Sequence, residues 1–365
     1  MARNKCDMYR LNSIAHVAGF IDEESIRRQQ KMILHDHIMP YLDSAGLLHV
    51  ARLNDYWFKL DEPLISAFVE RWRPETNTFH MPFGEYTVTL QDVAYQFDLP
   101  VDGFPVSGCL SDFEQLMEGG RPAWQWFEEL FGELPSENCI DEFTMSYVWF
   151  QNRFRVMPTD ATKPMVQVYA RGYIMMLLST ILFGDKSGAR VHLRWLPYVA
   201  DLDGLGKYSW GLATLSWWGR YMPSSDEKGP RVIATRHRLD KLRVDDFIWM
   251  PYSTLEVIQV IYPNILRPEH THLWKSTTAL IYFSSIKWHQ VNRVLSQLGG
   301  VQHVPEPVIN IDFLLLKDGR GPTHWFLRSL PHGMSIGIKG IKACLRFSWY
   351  QIHDPLLSIL IGGTW

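Results

Sequence analysis

Two short stretches, "LHDHI" at 34–38 and "EHTH" at 269–272, carry imidazole and carboxylate side chains that could bind a metal ion. Residues one or two apart on a helix point to different faces, so neighbours cannot converge on one ion as the two histidines of an HExxH motif do. We therefore predict surface or structural roles and no metal site. The side chains concerned are His35, Asp36, His37, Glu269, His270 and His272.

A pair of aspartates, Asp201 and Asp203, lies in "YVADLDGLG" at 198–206. One aspartate could serve as nucleophile and the other as acid and base in covalent phosphoryl transfer. The stretch resembles the DxDGT nucleophile loop of haloacid-dehalogenase-like phosphatases. However, Leu205 stands where that loop has threonine or valine, and no strand–helix alternation follows. A turn between helices is the preferred interpretation.

The stretch "FGDKSGAR" at 183–190 is the nearest approach to a phosphate-binding loop. It lacks the GxxxxGK[ST] spacing that lets backbone amides surround the phosphates, and an apolar helical pattern precedes it where a strand is required. GxSxG, paired CxxC and a convincing GxGxxG are also missing from the sequence. We therefore expect no enzymatic activity, no cofactor, and no catalytic, cofactor-binding or metal-binding residue.

A basic cluster, "RVIATRHRLDKLR" at 231–243, is the one segment whose composition suits phosphate contacts. A solvated basic face is the ordinary interpretation of such a cluster. The net charge of −3 argues against a dedicated nucleic-acid binder, so nucleic-acid binding is an alternative that we do not favour. The candidate contacts are Arg231, Arg236, Arg238, Lys241 and Arg243, interrupted by the acid Asp240.

Composition is that of a folded, soluble protein. The 365 residues are 46% hydrophobic and 21% charged, which excludes wholesale disorder. The four cysteines are scattered, which predicts neither zinc nor disulfides and suits a reducing compartment. No secretory signal is visible at the N-terminus, and the most apolar run, 173–183, is short for a bilayer. We expect an intracellular protein that does not bind a membrane.

The segment 61–108 predicts a helix, a hairpin and a second helix. Apolar residues from Leu64 to Trp72 follow a helical spacing, and Pro74 is expected to end that helix. Two short strands about Gly84 follow, near residues 79–90. Thr89, with Asp92 three residues later, predicts an N-cap. Trp72 should be buried, whereas its two arginine neighbours are predicted to pair with Glu70, Glu75 or Glu85, or to reach a partner.

The rest of the chain adds helical patterns, of which 163–184 is apolar nearly all round and belongs in the middle of a domain. A polar linker is expected at 223–231, a strand in "TTALIYFSSIKWH" and a short helix in "QVNRVLSQLG". The predicted fold is mainly α with small β elements, an α+β helical domain with a short β-hairpin.

These segments together resemble the plant mobile domain family, also called aminotransferase-like. The similarity rests on 61–108 and on four further stretches in order, including "YARGYIMMLLSTILFGDKSGARVHLRWLPYVADLDGLG" and "RHRLDKLRVDDFIWMPY". It predicts one domain over 7–321, shortened internally near 222–231, followed by a divergent segment at 322–365. The signature residues are Arg71, Trp72, Arg73, Pro74, Glu75, Gly84, Thr89 and Asp92.

The resemblance implies a non-enzymatic protein–protein interaction domain in the nucleus. Members of the family are implicated in meristem maintenance, transposon silencing and gene expression, and some have a phosphatase-like partner. A nucleic-acid-binding domain of transposon origin and a degenerate enzyme-like domain are the alternatives. The aminotransferase-like label has no support in the sequence, because a Schiff-base lysine, an acid for the pyridine nitrogen and a phosphate loop cannot be placed.

Overall fold

The structure, a computed structural model, describes residues 30, 32–55, 61–73, 76–106, 122–184, 188–218 and 230–305, apart from 262, 264 and 284. Most of these residues are helical, as the sequence predicted. The α-helices are α1 (Met39–Ser44), α2 (Leu48–Asp55), α3 (Glu62–Val69), α4 (Leu90–Phe97), α5 (Ala123–Phe131), α6 (Tyr147–Phe154), α7 (Lys163–Met176), α8 (Leu196–Ala200), α9 (Trp210–Trp218), α10 (Pro230–Lys241), α11 (Leu255–Ile258) and α12 (Pro268–Trp274).

The β-structure in the described part consists of two three-stranded antiparallel sheets and one hairpin. Their sizes confirm the prediction of a mainly α protein with small β elements. The strands are β1 (Trp72–Arg73), β2 (Thr78–Met81), β3 (Gly84–Tyr86), β4 (Ile140–Asp141), β5 (Thr144–Ser146), β6 (Arg190–His192), β7 (Thr278–Tyr282) and β8 (Ser285–His289). The sheets have the orders β1-β2-β3 and β4-β5-β6, and β7 pairs with β8.

Helix α7 is the centre of the core, as its apolar sequence predicted. Pro164 lies in its first turn, and the helix continues as π-helix over Leu177–Leu182. Helices α5 and α6 contribute phenylalanine rings beside it, with Phe127 stacked on Phe131 at 4.4 Å between ring centroids. By length and composition Lys163–Leu182 could cross a bilayer, but 61% of its most apolar window is buried inside the protein, as in the core helix of a soluble domain.

Helix α9 is a core helix beside the β7–β8 hairpin. It packs against α4, β7 and β8, and Trp210 at its start is fully buried. Within it, the hydroxyl of Ser216 donates a hydrogen bond to the Leu280 carbonyl, 3.3 Å away. The predicted strand in "TTALIYFSSIKWH" is therefore a pair of strands, and the short helix predicted after it is two 3-10 turns, Val291–Arg293 and Leu295–Leu298.

Two sequence-based boundaries differ from the structure. Helix α3 ends at Val69, and Trp72 lies in β1 opposite Phe79, so the helical continuation predicted for this tryptophan is wrong. The hairpin ends at Tyr86, because Thr89 already caps α4 and Leu90 is its first residue. Pro74, Glu75 and most of the expected linker at 223–231 lie outside the described residues, although Pro230 and Arg231 begin α10.

Candidate interaction surface

Two buried ion pairs join the signature segment to the basic helix α10. Arg71 donates from Nη2 to Oδ1 of Asp240 at 2.6 Å, and Arg236 donates two hydrogen bonds to the Glu70 carboxylate. The side chains of Glu70 and Arg236 are 2% and 10% exposed. The sequence predicted Glu70, Glu75 or Glu85 as partner acids, but the acid that pairs with Arg71 is Asp240, which lies far along the chain.

The basic cluster is therefore divided by the fold. Arg236 is buried against Glu70, which corrects its assignment as a phosphate contact. Arg238, Lys241 and Arg243 are exposed. The backbone of Arg231 begins α10, and its side chain lies outside the described part.

Trp72 is 4% exposed, which confirms its predicted burial. Its ring packs on Phe79 at 4.9 Å between centroids, and it borders a cavity of about 30 Å³ shared with Leu215 and Leu280. That volume accommodates a water molecule or two and no organic ligand. Arg73 follows it half-buried, with Nη1 donating to the Trp72 carbonyl at 3.2 Å. Trp72 is a structural joint between the first sheet, α9 and β7.

The Glu85 carboxylate holds the segment around Arg293 against the first sheet. Arg293 donates to both of its oxygens, at 2.8 and 2.7 Å, and Thr78 donates at 2.9 Å. Burial alone would raise the pKa of Glu85, but the hydrogen bonds and charge of Arg293, with the Thr78 hydrogen bond, outweigh it and lower that pKa. Nearby, the Gln297 side chain exchanges two hydrogen bonds of 2.9 Å with the backbone of Thr87.

The predicted N-cap of α4 is present as a full capping box. The amide of Asp92 donates to the Thr89 hydroxyl at 3.3 Å, and the Thr89 amide donates to Oδ2 of Asp92 at 2.6 Å. The sequence did not indicate a second role for Asp92: its Oδ1 accepts a hydrogen bond of 2.7 Å from the Tyr252 hydroxyl. The cap of α4 is thereby joined to the segment that follows α10.

An aromatic cluster, formed by Phe83, Tyr86, Phe247 and Trp249, covers the hairpin. Phe247 lies 5.3 Å from Tyr86 and 4.9 Å from Trp249 between ring centroids, with the rings nearly perpendicular in both pairs. Gly84 has a φ of +150°, where glycine is favoured, and a Cβ at that position would lie 3.6 Å from the Trp249 ring. The signature glycine thus suits both the turn and the ring beside it.

Beside this cluster is a pocket of about 360 Å³, which we call the aromatic pocket. This volume lies in the range of small-ligand sites. Phe247 and Trp249 line it together with Asp92 and Tyr252. Burial, and then the negative charge of Asp92, raise the pKa of Tyr86 to about 12, and the same two causes also raise the pKa of Tyr252.

The segment 244–260, part of which lines the pocket, exposes six large apolar side chains, and we call these residues the apolar rim. Their exposed fractions run from 36% to 81%. Single exposed apolar residues are ordinary, but a concentration of them marks an interaction surface. The sequence analysis did not predict this surface, although residues 244–252 belong to a stretch that carries the family resemblance. The residues are Val244, Ile248, Met250, Leu255, Ile258 and Val260.

The remaining candidate residues for catalysis or metal binding form no common site among the described residues. Asp201 follows helix α8, where the phosphatase loop requires a strand, and its Oδ1 accepts a hydrogen bond from the Gly204 amide at 3.1 Å. His270 is buried with Nδ1 3.2 Å from the Ile265 carbonyl. Among the described residues, no group of three or more His, Cys, Asp or Glu is placed to hold a metal ion. Residues 185–187 of the phosphate-loop candidate lie outside the described part.

Comparison with known proteins identifies relatives of this chain. Residues 46–222 and 216–324 match the plant mobile domain profile. A serine/threonine-protein phosphatase 7 long form homolog of Arabidopsis thaliana is 30% identical over 348 residues, 77% of this chain and 25% of that protein. Protein MAIN-LIKE 1 is 30% identical over 74% of this chain and 60% of its own length, and Protein MAINTENANCE OF MERISTEMS is 26% identical over 78% and 67%, both from the same plant.

The chain therefore spans a quarter of the first of these relatives and 60% of the second. No solved structure matches it significantly.

Proposed function

This chain belongs to the plant mobile domain family, and from that premise we propose that it is a nuclear protein–protein interaction domain without enzymatic activity. Relatives named for meristem maintenance support a role in that process, and the family resemblance extends the proposal to transposon silencing and gene expression. Among the described residues, Asp92 caps a helix, Asp201 accepts a hydrogen bond in a turn, and Glu70 is an ion-pair partner. These are structural uses.

The apolar rim carries the proposal. Leu255 is 70% exposed and Val260 is 81% exposed. Ile248, which is 75% exposed, lies between the half-buried Phe247 and Trp249 in the sequence and lines the same pocket. Burying such residues in a complex stabilises it by about 25 cal/mol for each Å² of apolar area removed from water. Aromatic residues at the centre of an interface tend to contribute most of the binding energy. A protein partner is the occupant that fits this surface.

We propose a phosphatase-like protein as that partner. The family resemblance implies such a partner for some members, and the name of one similar protein describes a phosphatase, of which this chain matches a quarter. A domain that is joined to a phosphatase in one relative could bind one as a separate chain in another.

The test is affinity purification of the tagged chain from plant nuclei, with a fluorescent fusion to check its location. Leu255→Asp together with Val260→Asp should abolish recovery of the phosphatase-like partner while the chain stays folded. Val148→Asp, at a side chain that is 64% exposed elsewhere on the protein, is the matched control and should have no effect. Equal recovery with all variants would exclude the apolar rim, and catalytic turnover by the pure chain would contradict the absence of activity.

Nucleic-acid binding is the second candidate, because Arg238, Lys241 and Arg243 are exposed at the end of α10 and just after it. Phosphate contacts of this kind weaken steeply with salt. Nuclease treatment during the purification distinguishes the two functions, since partners held through DNA or RNA are lost. Binding that disappears with Arg238→Ala and Arg243→Ala, and not with the rim variants, would favour the second candidate.

A further inference from the structure

The aromatic pocket has the composition of a site for an organic cation. Tyr86, Phe247, Trp249 and Tyr252 contribute aromatic surface to it, and Asp92 and Asp246 contribute carboxylates. Among the described residues that line it, none is lysine, arginine or histidine. Ring faces attract cations through their quadrupoles, and the two acids add a negative potential at the same place.

The pocket is accessible from solvent. Phe247, Trp249 and Tyr252 are half-buried, and Asp246 is exposed at its edge. The rings are held by different neighbours: Trp249 packs on Phe83 and Phe247, whereas Tyr252 packs on Tyr95 at 4.8 Å between centroids.

The hydrogen bonds that Asp92 and Asp246 already accept indicate which kind of cation suits the pocket. Asp92 already accepts hydrogen bonds from the Tyr252 hydroxyl on Oδ1 and from Thr89 on Oδ2. Asp246 accepts one from the Arg243 amide at 2.9 Å on Oδ2. A guanidinium needs two well-placed acceptor oxygens for its fork of donors. A methylated ammonium donates few or no hydrogen bonds and binds through charge and ring contact alone. It therefore suits the aromatic and acidic lining of the pocket better than a guanidinium does.

We propose that the aromatic pocket binds a methylated ammonium group, the side chain of a methylated lysine on a partner protein. The assignment of the lysine to a protein partner rests on the proposed function, whereas the recognition of the cation itself does not. The apolar rim beside the pocket would then contact the residues that flank the modified lysine.

The experiment is calorimetric titration of the full chain with a short peptide that contains trimethyllysine. Three comparisons are made: the unmodified lysine peptide, a neutral analogue with a tert-butyl group in place of the trimethylammonium, and phosphocholine. Trimethyllysine should bind at least about tenfold more tightly than the neutral analogue, since the ring contacts depend on charge. Equal binding of the neutral analogue, or no saturable binding of trimethyllysine, would overturn the proposal.

Phosphocholine distinguishes the source of the cation. Its phosphate would face Asp246 at the edge of the pocket, so it should bind more weakly than the peptide. If phosphocholine binds as tightly, the site is one for choline compounds and the assignment to lysine is wrong.

Two substitutions locate the binding. Trp249→Ala should weaken the peptide about tenfold, and Asp246→Asn, which keeps an acceptor for the Arg243 amide, should weaken it several-fold and reduce its salt dependence. Phe143→Ala and Asp203→Asn, at exposed positions elsewhere, are the matched controls. Unchanged affinity in the Asp246→Asn and Trp249→Ala chains, with both shown to be folded, would place the cation elsewhere and refute the assignment.

The outcome is separable from that of the proposed function. Trimethyllysine binding without recovery of any partner from nuclei would leave the pocket assigned and the interaction role in doubt. If a partner is recovered and Trp249→Ala does not change its recovery, the interaction role is supported and the assignment of the pocket to that partner is in doubt.

Discussion

The ion pair between Glu70 and Arg236 offers the sharpest test of how the signature segment is held. Replacing Glu70 by methionine leaves the guanidinium of Arg236 in a site where that residue is only 8% exposed. Breaking a buried pair from one side costs about 3–5 kcal/mol, because the remaining charge stays desolvated and uncompensated. Domains of this kind are stable by only about 5–15 kcal/mol, so the loss should be visible at once in urea unfolding.

The reverse substitution completes the cycle. Arg236→Met should cost a similar amount, but the double substitution should cost less than either, since two apolar side chains replace both charges at once. A surface pair is the matched control: Glu133 lies 2.8 Å from Arg153 with its side chain 55% exposed, and Glu133→Ala should cost about 0–1 kcal/mol. The reasoning is refuted if Glu70→Met costs no more than Glu133→Ala, or if the double substitution is simply additive.

Three further outcomes follow from the geometry. Trp72→Ala should cost roughly 3–5 kcal/mol in urea unfolding, the usual range for an emptied tryptophan site; a stable variant that has only lost its partner would show an exposed hot spot instead. Thr89→Ala should cost about 1 kcal/mol through the lost capping box, whereas Ser146→Ala, at an N-cap without a side-chain hydrogen bond, should be nearly neutral. Burial lowers the pKa of His289 to about 4, although the Ser276 backbone, as a hydrogen-bond partner of the imidazole, acts in the opposite direction. Above pH 6.5 this histidine is neutral in both states and does not change the unfolding free energy. As the pH falls from 6.5 to 4, the unfolded chain binds a proton that the folded chain does not, so the unfolding free energy decreases by about 3 kcal/mol. A difference in unfolding free energy between the native chain and His289→Leu that is constant over that range would contradict this.

The sequence by itself determined features that depend on neighbours along the chain. The capping box of Thr89 and Asp92, the apolar helix α7 and the alternation of a hairpin near Gly84 are all local, since hydrogen-bond reach and side-chain period are set within a few residues. Burial of Trp72 was also predicted, because an aromatic ring in an apolar face must leave water. Its secondary structure was not, since the break after Val69 is made by pairing with Phe79.

Only the tertiary structure decided what the polar side chains do. Arg236 lies among five basic residues in the sequence and looked like part of a phosphate-binding face, yet the packing of α10 against α3 places it on Glu70. The sequence predicted only a helix-capping role for Asp92. The fold places Tyr252, in the 244–260 segment, within hydrogen-bond distance of it. A charged side chain that is removed from water needs a partner of opposite charge. Which residue becomes that partner depends on how distant elements pack, and no local sequence pattern indicates it.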